Sequence, residues 1–403
     1  MTPPQGIVVA GAGIGGLTAA FALARNGFEV TVLEQAERLE EIGAGIQLSP
    51  NATRTLIALG LGDRLHPYIV VPEALRILKA NSGREIVRLQ LGSAAASRYG
   101  APYWLVHRGD LQAVLGASVA AERDVSVKLG VRMEDFVVHS RGITVSARAR
   151  SGIWHERAAA LIAADGLWSQ TRARLSPDGE PRFAGRTAWR AMVWAKDVAP
   201  EFRQPMIYLW LGRDAHLVHY PVKGGTAINI VAIIADPTPR RGWGEPARTE
   251  ELLMHLPARH WALPALSLVR TPSTWLRWSL YDRPPLATWS KGPVALLGDA
   301  AHPVLPFLAQ GAGLAIEDAA VAAQCLARMP DDIDEALRTY TAMRRGRAAK
   351  VQRAAARAGA RYHLGGFRSL ARNAAMRAMG GARLLRHYDW LYDWRLPEAL
   401  SLA

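Results

Sequence analysis

The feature that most constrains the fold is a glycine-rich turn that follows an apolar strand near the N-terminus. The segment GIVVA ends at residue 10, and Gly11-x-Gly13-x-x-Gly16 leads from it into an alanine-rich stretch over residues 17–26. The first glycine permits a tight turn, the second lets backbone approach a pyrophosphate, and the third lets helix and strand pack closely. A second apolar strand follows and ends in Glu34. This pattern predicts a β-α-β unit and therefore a parallel sheet.

The turn and the acid together predict a dinucleotide site. Phosphates bind at a helix N-terminus because the free amides and the helix dipole favour negative charge. Glu34 comes 23 residues after Gly11, where its carboxylate can accept the ribose hydroxyls of a nucleotide. The acid favours a free ribose, so the site is predicted to take FAD or NAD rather than NADP. The sequence contains one such fingerprint and so predicts one stable dinucleotide site.

Two later strand-then-turn segments are expected to return to the same sheet. They are LIAADG (161–166) and VALLGD (294–299), and the second leads through prolines into Gln310-Gly311-Ala312-Gly313. Asp299, at the end of its strand, can accept a hydroxyl from a ribityl chain. A helix that begins with so few side chains exposes its amides, which would stabilise negative charge on a flat ring such as a reduced isoalloxazine. The alternative is a Pro/Gly loop that only caps a core helix.

The predicted fold class is α/β, with a Rossmann-like nucleotide-binding domain interleaved with an antiparallel-sheet substrate domain and followed by C-terminal helices. Short β-rich runs separated by Pro and Gly turns define the substrate domain. The domains are predicted to be discontinuous. The cofactor domain comprises 1–72, 101–179 and 281–330, the substrate β-sheet domain comprises 73–100 and 180–280, and a basic helical segment covers 331–403.

Charge and composition narrow the class of protein. The formal net charge is +14, but thirteen Lys and Arg and no acid lie between Ala336 and Tyr388, so the rest of the chain is nearly neutral. We expect basic cover helices there. The alternatives are contact with an anionic membrane surface, an acidic partner or nucleic acid, of which nucleic acid is not expected.

Cys325 is the only cysteine, which argues against a disulfide reductase. No window resembles a membrane span or a leader, so a cytoplasmic protein is expected, and the oligomeric state stays open.

The chain resembles the class A flavin-dependent aromatic hydroxylases, the family of para-hydroxybenzoate, salicylate, 3-hydroxybenzoate and 6-hydroxynicotinate monooxygenases. The resemblance rests on the glycine turn, on LIAADGLWSQTR, on LLGDAAHPVLPFLAQGAGLAIEDA and on the closing YDWLYDW. It implies tightly bound, non-covalent FAD, NAD(P)H as a transient co-substrate, and O2. It also implies hydroxylation of a small phenolic or hydroxy-heteroaromatic ring, with or without a carboxylate, through a flavin C4a-hydroperoxide. The alternatives are a flavin oxidase or dehydrogenase on the same fold, and a flavoprotein that associates with membranes or polyanions.

The resemblance also implies cofactor roles for residues outside the glycine turn. Asp165 and Gly166 match a segment that contributes to FAD and nicotinamide binding, and Arg38 and Arg108 match contacts to ribose, pyrophosphate or ribityl groups. The loop Gly45-Ile46-Gln47 matches one beside the flavin ring. No metal ligands are predicted. The full set of predicted cofactor-binding residues is Gly11, Gly13, Ile14, Gly15, Gly16, Glu34, Gln35, Arg38, Gly45, Ile46, Gln47, Arg108, Asp165, Gly166, Asp299, Pro306, Gly311, Ala312 and Gly313.

The strand DAHLVHYPV carries the candidate catalytic residues. Because side chains alternate along a strand, His216 and Tyr220 share one face and His219 lies on the other. The 3-hydroxybenzoate and 6-hydroxynicotinate hydroxylases have a matching pair, which implies substrate binding and deprotonation by His216 and Tyr220. A histidine near its normal pKa suits removal of a phenolic proton. The alternatives are a hydrogen-bonded sheet histidine at position 216 and a core aromatic residue at position 220. His219 is expected to be structural, and His302 to orient its loop.

Departures from the family limit any statement about the substrate. Salicylate and 6-hydroxynicotinate hydroxylases typically have histidine where this chain has Phe307, and the 3-hydroxybenzoate branch has glutamine at the position of Pro306. Gln47 stands where the nicotinate enzyme uses histidine. None of the three named substrates is therefore closely supported, and Pro306, Phe307 and Leu308 predict a more apolar pocket wall. Arg190 could meet a carboxylate or line the sheet, and the sheet role is favoured.

Overall fold

The computed structural model describes residues 6–39, 44–240, 242 and 244–397. In these ranges the strands are β1 (Ile7–Ala10), β2 (Val30–Glu34), β3 (Gly45–Leu48), β4 (Ala74–Lys79), β5 (Glu85–Gln90), β6 (Trp104–His107), β7 (Val125–Leu129), β8 (Arg132–His139), β9 (Gly142–Ala149), β10 (Gly152–Ala158), β11 (Ala160–Ala163), β12 (Arg182–Trp194), β13 (Met206–Leu211), β14 (Ala215–Val222), β15 (Ala227–Ala235), β16 (Glu245–Ala247), β17 (Trp275–Asp282), β18 (Ser290–Lys291) and β19 (Val294–Leu296). The α-helices are α1 (Ile14–Ala24), α2 (Pro50–Ala58), α3 (Gly62–Leu65), α4 (Gly92–Tyr99), α5 (Arg108–Ala120), α6 (Gln170–Leu175), α7 (Thr249–His255), α8 (Leu263–Arg270), α9 (Gly311–Arg328), α10 (Ile333–Tyr362), α11 (Gly366–Arg386) and α12 (Asp389–Tyr392).

The glycine turn follows the central strand of a six-stranded sheet in the order β18-β19-β11-β1-β2-β7. All neighbours in it are parallel except β18, which pairs antiparallel with β19. The carboxyl ends of parallel strands meet at one edge of the sheet, which is where open α/β sheets bind ligands. Gly11, Glu34, Asp165 and Asp299 therefore come to the same edge. Helix α1 begins at Ile14, earlier than its alanine content predicts, so two of the turn's glycines are helical.

Eight strands form the second large sheet, in the order β16-β17-β12-β15-β14-β13-β4-β5. The pairing is antiparallel, as predicted, except that β13 pairs parallel with β4. Strand β4 comes from a much earlier part of the chain, so its direction is not fixed by a hairpin to β13. Helices α7 and α8, which the sequence analysis did not predict, cover one face of this sheet with apolar side chains.

Two smaller sheets complete the described β-structure. Strands β8, β9 and β10 form an antiparallel sheet that pairs with neither large sheet and was not predicted. Strands β3 and β6 pair antiparallel and lie between the nucleotide edge and the eight-stranded sheet. The division of the chain into domains at residues 72, 100, 179, 280 and 330 stays a prediction.

The basic C-terminal segment forms the long helices α10 and α11. The expectation that its basic residues face solvent is wrong for Arg344, which is buried against two acids of α9, and for Arg347, which is largely buried beside it. Cys325 is fully buried in α9, as expected for a core residue. None of the helices in the described ranges combines the length and apolar character that a bilayer span requires.

Candidate active site

The glycine turn has the geometry of a nucleotide loop. Gly11 has a positive φ of 104°, which a side chain would strain. A Cβ at Gly16 would overlap the carbonyl oxygen of Gly11, so helix and strand touch there without any side chain between them. A Cβ at Gly15 would lie 2.8 Å from Leu297, where α1 packs on the end of β19. Gly13 differs, because nothing lies within 4 Å of its would-be Cβ. The open side of the turn is thus at Gly13, and Ile14 begins the helix behind it.

The carboxylate of Glu34 is fixed beside this turn. Its two oxygens accept hydrogen bonds from the backbone amides of Ala12 and Ala36, each at 2.8 Å. The side-chain amide of Gln112, on α5, donates to the carbonyl of Ala12 at 2.9 Å and supports the turn from the other side. Sequence reasoning missed Gln112, since no motif marks it. The neighbours Gln35 and Arg38 are exposed.

Asp165 follows β11 at the same edge. Its Oδ2 accepts a hydrogen bond from the hydroxyl of Thr171 at 3.2 Å, whereas its buried Oδ1 has no partner among the described residues. Burial raises the pKa of this carboxyl, and hydrogen bonds from Ser169 and Thr171 oppose the rise. Gly166 has a positive φ of 77° and open space around it. Asp165 therefore has an acceptor oxygen to offer to a ligand.

Asp299 lies in a 3₁₀ turn between β19 and α9. Its carboxylate is solvent-accessible, although protein surrounds it, so it stands in a crevice. Desolvation raises its pKa, and His302 and Arg108 oppose this rise. A Cβ at Gly311 would lie 3.9 Å from Asp299 Oδ1, so the first turn of α9 begins next to this acid. Ala312 and Gly313 continue that turn, which contains no acid.

A buried polar network, which the sequence analysis missed, holds the start of α9. Asn51 donates to Gln310 at 3.2 Å and to Glu317 at 2.6 Å, and Gln310 donates to Ser49 at 2.9 Å. Arg344 bonds both Glu317 (2.6 Å) and the adjacent acid of α9 (2.7 Å). Because every one of these groups is buried, the network fixes the helix start relative to α2 and α10.

That adjacent acid, Asp318, connects the network to the loop after β19. Its Oδ2 lies 2.5 Å from His302 Nε2 and accepts a hydrogen bond from the amide of Gly298 at 3.3 Å. Burial by itself would raise the pKa of Asp318, but His302 and Arg344 hold that pKa below its usual value. This position suits His302 to orienting its loop.

The segment Gly45-Ile46-Gln47, which the resemblance gave as a loop beside the flavin ring, is part of strand β3 and contacts the eight-stranded sheet directly. The amide of Gly45 donates to Asn229 Oδ1 at 2.7 Å, and a Cβ at Gly45 would lie 2.7 Å from the ring of Tyr220. Gln47 accepts a hydrogen bond from Tyr103 at 2.9 Å and also interacts with the Tyr220 hydroxyl. Asn229 was not predicted, and its Nδ2 has no partner among the described residues. Ile46 is half-buried in the same strand.

Arg190 lies on the same face of the sheet as Tyr220 and His216. The register pairs Arg190 with Val231 and Val231 with Val218, and directly paired residues share a face. Its guanidinium stacks 3.9 Å from the ring centre of Trp278, and its buried Nε has no hydrogen-bond partner in the described ranges. Burial lowers the pKa of Arg190 to about 9, with Tyr220 raising it and Arg108 lowering it. A largely desolvated guanidinium with an unpartnered donor nitrogen is able to bind an anion.

His216 lies farther along the same strand, among aromatic side chains. Its Nδ1 lies 2.8 Å from Nε2 of His363, the residue that ends α10, and its ring is 5.6 Å from that of Phe307. Burial and then His363 and Arg186 lower the pKa of His216 well below its usual value. The expectation of a histidine near its normal pKa is therefore wrong, because the sequence could not show that His216 is buried or that a second imidazole and an arginine lie beside it.

The remaining predicted residues take less central positions. His219 faces the opposite side of the sheet and stacks on Tyr208 at 4.5 Å, as expected for a structural residue. Arg108 is exposed at the start of α5, and Pro306 begins the turn that carries Phe307. A cavity of about 450 Å³ lies elsewhere, at the carboxyl ends of α1 and α9. Across the described ranges no group of three His, Cys, Asp or Glu could hold a metal ion.

These observations define a class of protein before any comparison is made. The open side of the glycine turn, the unpaired oxygen of Asp165 and the accessible carboxylate of Asp299 lie along one sheet edge, with a bare helix start at its end. Such an edge suits an extended dinucleotide with a flat ring, and FAD fits these donors and acceptors. A sheet with a buried cation and polar aromatic groups faces the ring end. The class is a flavoprotein that acts on a small ligand.

Comparison with known proteins identifies the family. A family model described as "FAD binding domain" matches residues 5–355. The chain is 37% identical to 3-hydroxybenzoate 6-hydroxylase 1 of Aquipseudomonas alcaligenes, over 97% of this chain and 98% of that protein. It is 38% identical to 3-amino-4-hydroxybenzoate 2-monooxygenase of Streptomyces cremeus, over 98% of each. The chain belongs to the FAD-binding class A flavin monooxygenases, and it is an FAD-dependent aromatic hydroxylase.

A solved structure agrees with this assignment. HpxO of Klebsiella pneumoniae, in complex with FAD and uric acid, superposes with a TM-score of 0.83 at 26% identity and covers 95% of each chain. The predicted fold class, the FAD cofactor and the hydroxylase activity are confirmed. The roles of individual site residues stay predictions.

Proposed function

We propose that the chain hydroxylates a small phenolic or hydroxy-heteroaromatic ring that carries a carboxylate, with NAD(P)H and O2 as co-substrates. The observation that carries this proposal is Arg190. Its guanidinium is packed against Trp278, and its Nε lacks a partner among the described residues. A half-buried cation with a buried, unpartnered donor nitrogen costs free energy that an anionic ligand recovers. The proposal replaces the sheet-lining role that the sequence favoured for Arg190.

The residues at the sheet edge would hold FAD. Gly13 and the start of α1 would face the pyrophosphate, Glu34 would accept ribose hydroxyls, and Asp299 would accept a ribityl hydroxyl. When bound, FAD accepts reducing equivalents from a nicotinamide and, with O2, supplies the oxygen that enters the ring. The amides at the start of α9 would stabilise negative charge on the reduced ring, because they lie at the positive end of the helix dipole. The predicted roles of the other cofactor residues are retained.

The sheet face opposite the ring would orient the substrate. Arg190 would bind a carboxylate, while Tyr220 and Gln47 would hydrogen-bond a polar substituent near the loop at Gly45. Phe307 and Val218 would form the apolar wall and exclude water, which strengthens every polar interaction in the site. His216 would reach the phenolic oxygen through Nε2, since its Nδ1 is occupied by His363.

The relatives support the substrate class. Two of them are named for hydroxylation of a benzoate that carries a hydroxyl group. A ring with a carboxylate and an activating hydroxyl satisfies both the cation at Arg190 and the polar groups near Tyr220. This agreement is the reason to prefer a hydroxylated aromatic acid over a neutral phenol.

The test compares matched ligands and matched arginine variants. The FAD-loaded enzyme is assayed for hydroxylated product per NAD(P)H consumed, with 3-hydroxybenzoate and with unsubstituted phenol. We expect the acid to be preferred, and Arg190→Gln to weaken its binding at least tenfold while leaving phenol unaffected, since a lost buried charge contact costs about 2 kcal/mol or more.

Arg277→Gln is the control variant for this test. Arg277 stacks 5.2 Å from Trp189 on the neighbouring strand, on the opposite face of the sheet. It should bind both ligands as the wild type does. Equal binding of the acid by wild type and Arg190→Gln would contradict the carboxylate site. Peroxide without any hydroxylated product from either ligand would contradict the proposed substrate class.

One observation favours a second function for the basic segment. The outward face of α11 exposes Phe367 (82%) and Leu370 (58%) beside Arg368 and Arg377. An apolar stripe flanked by cations suits the surface of an anionic bilayer. We infer weak association with such a surface, to be measured by sedimentation with vesicles of phosphatidylglycerol or phosphatidylcholine. Phe367→Ser should reduce salt-sensitive binding to the anionic vesicles, and binding that it leaves unchanged would refute the role of α11.

A further inference from the structure

The second imidazole beside His216 is not accounted for by substrate binding. His363 follows the last residue of α10, is almost fully buried, and lies with its Nε2 2.8 Å from His216 Nδ1. On its other side, the guanidinium of Arg186 donates from Nε to His363 Nδ1 at 3.2 Å. The three groups form a chain that runs from the substrate face of the sheet toward Arg186, which is half-buried.

The chemistry of arginine determines the direction of every hydrogen bond in this chain. The Nε of arginine is always a donor, so Nδ1 of His363 must be an acceptor. A neutral His363 then carries its proton on Nε2 and donates it to Nδ1 of His216. His216, in turn, carries its own proton on Nε2, the nitrogen left free for a ligand. In this state His216 is a hydrogen-bond donor toward the site, which suits a phenolate and offers no acceptor for the proton of a phenol.

We propose that His363 is the positioning residue that, together with Arg186, sets which nitrogen of His216 carries the proton and provides the exit for the phenolic proton of the substrate. This inference rests on the function proposed above. Burial, with smaller contributions from Arg186 and Arg372, lowers the pKa of His363 to about 3. This agrees with a pair of imidazoles that are both neutral.

The proton balance of this step is closed. The phenol ionises while Arg186 stands away from His363 and both neutral imidazoles carry their single proton on Nδ1, so that Nε2 of His216 is an acceptor. The O–H proton of the phenol is then taken up at Nε2 of His216, and the Nδ1 proton of His216 passes to Nε2 of His363. The Nδ1 proton of His363 leaves to water. Both imidazoles are neutral before and after, and the substrate becomes a phenolate. The return of Arg186 to Nδ1 of His363 then fixes both imidazoles with their protons on Nε2. When the product leaves and Arg186 moves away again, water returns a proton to Nδ1 of His363 and Nε2 of His216 protonates the departing phenolate, which restores the starting tautomers.

The surroundings allow this movement of Arg186. The exposed carboxylate of Asp214, in the turn before β14, attracts the Arg186 guanidinium and lies outside the buried pair. The other groups around the imidazoles are Tyr362, whose ring is 5.4 Å from that of His216, and Arg372 of α11. Neither acid of the α9 network is among the groups that shift the pKa of His216.

The first test measures the tautomers directly and needs no turnover. The FAD-loaded enzyme is labelled with ¹⁵N-histidine, and the ring nitrogens of His216 and His363 are assigned by NMR from their loss in His216→Gln and His363→Gln. We expect both residues to carry the proton on Nε2 at neutral pH, and Arg186→Met to release a detectable Nδ1-protonated population. A wild-type His216 protonated on Nδ1, or tautomers unchanged in Arg186→Met, would overturn the proposal.

The second test separates positioning from a merely structural role. His363→Gln keeps an N–H donor for His216 but cannot pass a proton, so kcat should fall at least tenfold at neutral pH while KM changes less than threefold. Raising the pH should restore kcat as the substrate ionises in solution. His219→Phe, on the opposite face of the same strand, should keep the wild-type pH profile.

The outcomes of the two proposals are distinguishable. If the wild type hydroxylates a phenol but His363→Gln has an unchanged kcat and pH profile, the proton exit is refuted and the proposed function stands. If the wild type hydroxylates nothing, the proposed function fails, and the tautomer measurement still decides how His216 is held.

Discussion

Replacing Arg344 by methionine should destabilise the protein because two buried carboxylates lose the cation that they share. Arg344 is buried, and it donates to Asp318 Oδ1 at 2.7 Å and to Glu317 Oε2 at 2.6 Å. Methionine has a similar length and fills the space, so the change removes charge rather than volume. Removal of one partner from a buried ion pair costs about 3–5 kcal/mol, because the other charge stays buried and uncompensated.

The lower end of that range applies here because both acids keep other partners. Glu317 retains Arg347 at 2.7 Å, and Asp318 retains His302. We therefore expect a loss of about 3 kcal/mol. With an unfolding entropy of about 2.1 cal/mol/K per residue, a chain of 403 residues has about 0.85 kcal/mol/K, so Tm should fall by about 3.5 °C.

The assay is thermal unfolding of the FAD-loaded protein, with Arg345→Met as the control. Arg345 is the next residue on α10, is exposed, and makes one long hydrogen bond of 3.3 Å to the carbonyl of Ala287. Its loss should change stability by less than about 0.5 kcal/mol. A Tm for Arg344→Met within 1 °C of that of Arg345→Met would refute the reasoning that this ion network stabilises the fold.

Two further predictions follow from glycines and from buried histidines. Gly16→Ala should prevent correct folding because its Cβ would meet the Gly11 carbonyl, whereas Gly13→Ala has open space around it and should fold normally but bind FAD more weakly. Circular dichroism measures folding and FAD titration measures binding, and normal folding of Gly16→Ala would contradict the packing argument. Burial lowers the pKa of His219 to about 3, whereas a histidine of the unfolded chain has a pKa of about 6.5. Between these two pH values the unfolded chain binds one more proton than the native protein, so the free energy of unfolding decreases as the pH falls. His219→Phe should remove about 1.4 kcal/mol per pH unit of that slope between pH 6 and 4, measured by urea unfolding, and an unchanged slope would argue against a neutral buried His219.

Much of the nucleotide edge could be predicted because its chemistry is local in sequence. The turn from Gly11 to Gly16 and the acid Glu34 belong to one β-α-β unit, and Asp165 and Asp299 each follow a recognisable strand. Local patterns of this kind define position along a strand and therefore position at the sheet edge. Placement of His216 and Tyr220 on one face followed from alternation along a single strand.

The parts that could not be predicted depend on contacts between distant segments. The pairing of β4 with β13, the hydrogen bond from Gly45 to Asn229 and the ion pairs of Arg344 join residues that are far apart in the chain. Charge composition alone assigned all the arginines of the C-terminal helices to the solvent. The lowered pKa of His216 was missed because its burial, which is the main cause, and the approach of His363 from 147 positions away both depend on the tertiary fold.

Helix α10 is one continuous helix of 30 residues, with Arg344 near its middle and His363 immediately after its last residue. At 1.5 Å per residue, about 28 Å separate these two points along the axis. A chimera of this enzyme and a relative, made to exchange substrate preference, must therefore take α10 and β14 from the same parent. Otherwise His363 and His216 will not both be present to form their hydrogen bond. A crossover that keeps α10 but replaces α9 would remove Glu317 and Asp318, the ion-pair partners of Arg344. The best crossover points therefore lie outside both helices.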